Sequence, residues 1–171
     1  MHQKRLQCVV FSAMFCALVF AATMIAVPTG LVGNVNLGDG VLLLCAWMLG
    51  GPWAVASAAL GAALADLAAG YAIYAPATLV IKALMVVAVL FVCRAMEGLR
   101  LSARLSRVLS AICAELIMLV GYFLYEAFVL QYGLAATANI PFNAVQGALG
   151  IVLSLVLYEV LERAGIGVHR E

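Results

Sequence analysis

Apolar runs long enough to cross a bilayer follow one another with little polar sequence between them, which confines the chain to a membrane-embedded helical bundle. They cover 6–27, 53–69, 75–93, 108–130 and 142–161. A spanning helix needs about 20 apolar residues, at about 1.5 Å of rise each, to cross ~30 Å of hydrocarbon. A further run, 41–49, is too short to span unaided. The chain is 67% apolar and only 10% charged, with a mean hydropathy of +1.17, far from a soluble domain's roughly half-apolar, quarter-charged mixture. No linker, charge block or internal repeat divides it. The sequence therefore predicts one all-α domain over 1–171, with six transmembrane helices at about 6–27, 38–50, 53–70, 75–94, 105–131 and 142–162.

The positions of the cations orient the bundle. Lys4, Arg5, Arg94, Arg100, Arg104, Arg107, Arg163 and Arg170 fall in the termini and alternate loops, leaving only Lys82 elsewhere. Basic loops face the cytoplasm, so both termini are expected there, in a multi-pass protein of the cell membrane. The first run is too long for a secretory signal and reads as an uncleaved helix. Cys8, Cys16, Cys45, Cys93 and Cys113 show no C-x-x-C pairing and read as unpaired thiols rather than a metal site or a disulfide framework. The two histidines, His2 and His169, lie in the tails, so a catalytic imidazole or His-based metal site within the membrane is not expected. No P-loop occurs, so any ATP hydrolysis falls to a partner.

The short second run poses a packing question. Its roughly 14 Å of helix cannot reach from the turn at Gly50, Gly51 and Pro52 to the far surface. The residues before it, from Pro28 through Asn34 and Asn36 to Gly38, Asp39 and Gly40, are rich in breakers and hydrogen-bonding groups. Irregular backbone at membrane depth is tolerated where protein buries it or where it lines a cavity. A loop folding into or over a cavity is favoured over an ordinary loop beside a tilted helix.

The remaining polar residues gather in the same outer layer. Asp66 and Lys82 lie near the outer ends of adjacent helices, as ligand contacts or as a structural ion pair. Glu115, Tyr122 and Glu126 share a helix face. Glu126 belongs to the outer layer, whereas deeper Glu115 reads as a neutral or hydrogen-bonded packing residue. Asn143 and Gln146 sit at the outer end of the last helix, with Gly147, Gly150 and Ser154 continuing nearly the same face as a close-packing surface. Tyr71 and Tyr74 are interfacial aromatics or stack on a planar ligand, and Trp47 and Trp53 read as interface anchors on the cytoplasmic side. Ala13, Ala17 and Ala21, like Ala54, Ala58 and Ala62, repeat every four residues and permit close helix approach within the bundle or against another subunit.

Asn36-Leu-Gly-Asp39, Gly50-Gly-Pro52, the block from Ala65 to Lys82, and Pro141-Phe-Asn143 occur in this order along the chain. Together they resemble the substrate-binding S component of an energy-coupling factor (ECF) vitamin transporter, in the branch of riboflavin, pyridoxine and hydroxymethylpyrimidine carriers. The resemblance implies six helices around one vitamin, a first outer loop covering it, and partnership with a membrane scaffold subunit and two ATPases. It also implies that Ala13, Ala17 and Ala21 face the scaffold. Such a subunit would capture a small ring-shaped vitamin through Asn36, Asp39, Lys82, Tyr122, Glu126, Asn143 and Gln146, with Tyr71 and Tyr74 as aromatic contacts. A pyridoxine-like or hydroxymethylpyrimidine-like ligand is favoured, and riboflavin is also considered. No cofactor, metal or nucleic acid is expected. The alternative is a self-sufficient proton-coupled carrier using Asp66, Glu115 or Glu126 as relay; a membrane enzyme finds no nucleophile and base pair.

Overall fold

The computed structural model describes residues 2–28 and 34–166. The middle of the loop before the second helix, 29–33, and the tail with His169 and Arg170 lie outside the described residues. Six helices form the bundle: α1 (His2–Met24), α2 (Gly38–Met48), α3 (Gly51–Ala68), α4 (Ala75–Gly98), α5 (Ala103–Leu124) and α6 (Ile140–Arg163). A short antiparallel hairpin, β1 (Ala26–Pro28) with β2 (Asn34–Asn36), joins α1 to α2 and pairs Val27 with Val35. A π-helical turn, Tyr125–Val129, extends α5, and a 3-10 segment, Gly133–Asn139, leads into α6.

The packing follows from which helices have two apolar faces and which have one. In contact order the helices form a ring, α1 against α3, α3 against α4, α4 against α5, α5 against α6, α6 against α2 and α2 against α1. Because α2 also touches α3 and α4, it lies inside that ring. Its sequence is apolar on every side after the first turn, the pattern of a core helix, and Leu42, Leu43, Cys45 and Ala46 are fully buried. The five other helices are long and apolar enough to cross a membrane. They leave Leu60, Leu64, Val80, Leu84, Leu116, Val120, Val152 and Val156 exposed, as lipid-facing residues must be. Gly50 and Gly51 both have positive φ, 64° and 60°, which the sharp turn between α2 and α3 requires. Ser102 caps α5 by accepting the Leu105 amide at 3.3 Å.

Several expectations are corrected. The first helix ends at Met24 rather than near residue 27, because Ala26–Pro28 is drawn into the hairpin. The fifth does not continue as one α-helix to about 131: it changes to π geometry at Tyr125 and ends by Val129. The sixth begins at Ile140. Trp47 is not an interface anchor; it is buried on α2, and its indole N–H donates to Ser110 Oγ at 3.2 Å. Trp53, at the start of α3, is exposed.

The small-residue faces differ in use. Ala54, Ala58 and Ala62 are buried, while Ala13, Ala17 and Ala21 lie exposed on the opposite side of α1 from Phe15, Val19 and Ala22. Gly61 sets the closest approach of α1 and α3: a Cβ there would stand 2.5 Å from the Cys16 carbonyl oxygen. Backbone cannot yield as a side-chain tip does. Gly61→Ala is therefore expected to destabilise the bundle by about 1–3 kcal/mol, whereas Leu60→Ala, next to it on the lipid side, should stay within about 0.5 kcal/mol. Thermal unfolding of both variants in detergent checks this, and equal midpoints would contradict the contact.

Candidate functional site

The hairpin, the ends of α3 and α5, and the starts of α4 and α6 meet at one end of the bundle around a cavity. It is open at its mouth and is lined by Asn34, Asn36, Asp66, Tyr71, Tyr74, Tyr122, Glu126, Asn139, Phe142, Asn143 and Gln146. The arginines at the end of α4, the start of α5 and the end of α6 lie at the opposite end.

Each wall has a local cause. Tyr71 and Tyr74 occupy the tight connection between α3 and α4, where Gly70 takes φ 84° and the Tyr71 amide donates to the Asp66 carbonyl at 2.8 Å. Their rings meet edge to face at 6.4 Å, and Tyr74 meets Tyr125 at 5.8 Å. The Tyr125 hydroxyl donates to the Ile73 carbonyl, tying the π turn to that connection. Widening the helix at this point holds Glu126 inward: Oε2 accepts from Asn139 Nδ2 at 2.9 Å, and Oε1 lies 3.4 Å from the donating Tyr74 hydroxyl. Tyr122 and Thr78 hydroxyls pair at 2.9 Å.

The floor is a polar chain running across four elements, β2, α2, α4 and α6. Gln146 on α6 donates from Nε2 to Asp39 Oδ2 at 2.6 Å and accepts the Asn36 amide on Oε1 at 3.0 Å. Asn36 in turn accepts the Gly38 amide at 2.9 Å, starting α2. Asp39 Oδ1 takes the ammonium of Lys82, which lies 5.6 Å from the centre of the Tyr122 ring.

Asn36, Tyr71, Tyr74, Tyr122, Glu126, Asn143 and Gln146 are thus brought together on the cavity wall. Asp39 and Lys82 are buried beneath it and face each other. Of the two readings of Asp66 and Lys82, the ion pair between them is corrected: Lys82 pairs with Asp39 because α2 inserts between the helices and presents its first-turn carboxylate to α4, while half-buried Asp66 lines the cavity. Asn34, Asn139 and Phe142 were not anticipated as wall residues. Phe142 lay in the Pro141-Phe-Asn143 motif, whereas Asn139 falls in a 3-10 segment that has no periodic signature. Glu115 lies away from the cavity, packed against Gly147 and Gly150, and neither carboxylate oxygen has a hydrogen-bond partner among the described residues.

Removing Lys82 would leave the Asp39 carboxylate buried without its cation. Lys82→Met is expected to cost about 3–5 kcal/mol, and adding Asp39→Asn to that variant should recover a substantial part. A double-mutant cycle on thermal or denaturant unfolding reads the coupling; additive losses would contradict a mutually dependent pair.

The profile of the family described as "ECF-type riboflavin transporter, S component" matches residues 4–163. A solved structure described as "Structure and mechanism of the S component of a bacterial ECF transporter" superposes with a TM-score of 0.70 at 21% identity, covering 93% of this chain and 97% of that one. No curated protein matches the chain. The two chains share one fold over nearly their whole lengths. The chain is a multi-pass membrane protein and belongs to the family of ECF-type riboflavin transporter S components, the substrate-binding subunits of ECF importers.

Proposed function

We propose that this S component captures a planar-ring vitamin of the riboflavin kind in the cavity beneath the β1–β2 hairpin, and delivers it to a scaffold subunit and two ATPases. The observation that carries this reading is the cavity wall itself: three tyrosines and a phenylalanine interleaved with amides and carboxylates, in a mostly apolar bundle. Aromatic faces hold a flat ring, and the amides and carboxylates supply donors and acceptors for its substituents. Riboflavin is the first candidate because the matching family is named for it; pyridoxine and hydroxymethylpyrimidine suit the same chemistry in a smaller ring.

The hairpin end faces outward and both termini face the cytoplasm, a reading supported by the arginines gathered at the opposite end. Exposed Ala13, Ala17 and Ala21 on α1 offer a smooth face for the scaffold. In a cysteine-free background, Ala135→Cys, an exposed site beside the cavity, should react with an impermeant maleimide added to intact cells, and Leu99→Cys should react only after permeabilisation; the reverse pattern overturns the orientation.

Purified protein should bind one equivalent of vitamin without ATP, followed by calorimetry or quenching of ligand fluorescence across riboflavin, pyridoxine and hydroxymethylpyrimidine. Tyr71→Ala is expected to weaken binding by roughly 10-fold through lost ring contact, while Trp53→Ala, outside the cavity lining, should leave it unchanged. No response to any of these compounds sinks the proposal.

A further inference from the structure

We infer that a second pocket, at the arginine-rich end of the bundle, binds a phosphate group through Arg107, Ser106 and the first turn of α5. The site lies at the opposite end from the hairpin cavity and does not rest on what that cavity holds.

The end of α2, the last turns of α4, the start of α5 and α6 enclose this pocket, with Trp47, Cys93, Ser106, Arg107 and Tyr158 among its lining residues. Arg107 is half-buried there, and its guanidinium stacks on Tyr158 at 4.0 Å from the ring centre. Stacking covers one face of the guanidinium and leaves its N–H edge to meet an acceptor. The stack is braced from behind. Trp47 meets Tyr158 edge to face at 6.0 Å, its indole N–H donates to Ser110 Oγ at 3.2 Å, and that hydroxyl donates to the Arg107 carbonyl at 2.9 Å. No carboxylate pairs with Arg107 among the described residues. A positioned guanidinium with unused donors is a receptor for an oxyanion.

Ser106 supplies an independent observation. It is only 7% exposed and lines the pocket, and its hydroxyl has no hydrogen-bond partner among the described residues. The buried serines Ser57, Ser110 and Ser154 each give their hydroxyl to a carbonyl one turn back along their own helix. Ser106 does not, which leaves its donor to a ligand. The first turn of α5 adds to it. Ser102 accepts the Leu105 amide at 3.3 Å, and the Ser106 amide donates to the Ser102 carbonyl at 3.0 Å. The amides of Ala103 and Arg104 are the ones the helix itself cannot satisfy, and Ala103 is on the pocket lining.

The surrounding charge favours an anion. Glu97, the acidic residue of the lining, is exposed to solvent, where its charge is screened. Glu159 is held by Arg104 at 3.2 Å, and Glu162 is exposed and outside the lining. Arg94, Arg100 and Arg163 add positive potential at the same end. A phosphate presents its oxygens tetrahedrally and can meet a guanidinium edge, a hydroxyl and a helix amide together, whereas a carboxylate offers two oxygens in one plane. At a membrane boundary such a group belongs to a phospholipid headgroup or to a free phosphate ion.

The test titrates full-length protein, stripped of lipid in detergent, with inorganic phosphate and with a short-chain phosphatidylglycerol. Fluorescence of Trp47 in a Trp53→Phe background follows binding. Arg107→Gln is expected to weaken binding at least about 10-fold and Ser106→Ala about threefold. Arg163→Gln removes the same charge outside the lining and should stay within about twofold. With that pattern, a response to the lipid alone assigns the site to a headgroup, and a response to the ion assigns it to phosphate itself; either supports the inference. Ser106→Ala carries the test if Arg107→Gln does not fold. No response to either probe, or equal losses in the pocket variants and Arg163→Gln, overturns the inference and leaves the vitamin cavity untouched.

Discussion

A lysine ammonium buried in an apolar bundle must have a counter-charge, and the pairing of Lys82 with Asp39 determines how deep α2 sits. Asp39 occupies the first turn of α2, so meeting Lys82 fixes the start of that helix well inside the bundle. The connection from α1 must then descend to it, which the hairpin accomplishes with its own hydrogen bonds rather than with exposed backbone. Gln146 binds the second oxygen of Asp39 and the Asn36 amide, so α6 is drawn to the same point. The close approach needs glycine on both sides: a Cβ on Gly40 would meet Leu153 at 2.7 Å, and one on Gly150 would meet Asp39 Cβ at 3.0 Å. The cavity floor is the upper surface of this knot.

The same knot explains the placement of Glu115. Its side chain fills the space left by Gly147 and Gly150, close enough to Asp39 and Lys82 to interact electrostatically with both. The ammonium thus interacts with a directly bonded carboxylate and with Glu115 and Asp66 nearby. Glu115 differs from Asp66 and Glu126 in position, since those two reach the cavity. Of the three carboxylates considered as proton relays from the sequence, only those two have access to a bound solute.

Much of this was legible because bilayer crossing imposes length and charge rules on each segment separately. The apolar runs gave the helices, and the deficit in the second run gave a polar cavity near Asn36, since an 11-residue helix rises only about 16 Å. Depth along a helix also put Tyr71, Tyr74, Tyr122, Glu126, Asn143 and Gln146 towards one end of the bundle, where they line a common cavity. What depth cannot reveal is which helix lies at the centre. Asp66 and Lys82 do sit on neighbouring helices, yet the partner of Lys82 was decided by α2 entering the ring, and the same event turned Trp47 from a presumed interface anchor into a core residue. The hairpin and the π turn escaped for a different reason. Three-residue strands and a five-residue change of pitch are too short to leave a period.

The hydrogen bonds around the cavity divide its wall into fixed and available groups. Gln146 is held between Asn36 and Asp39, Glu126 between Asn139 and Tyr74, and the hydroxyls of Thr78 and Tyr122 hold each other. These contacts bridge α2, α4, α5, α6 and the hairpin, so the frame is set before any solute enters and little ordering remains to be done on binding. Asp66, which is hydrogen-bonded to Thr78, and Tyr71 stand at the cavity end of α3 and the turn beyond it. Recognition at such a site rests on a few groups carried by a stiff scaffold, and the scaffold is stiff because the buried charge of Lys82 admits few other arrangements.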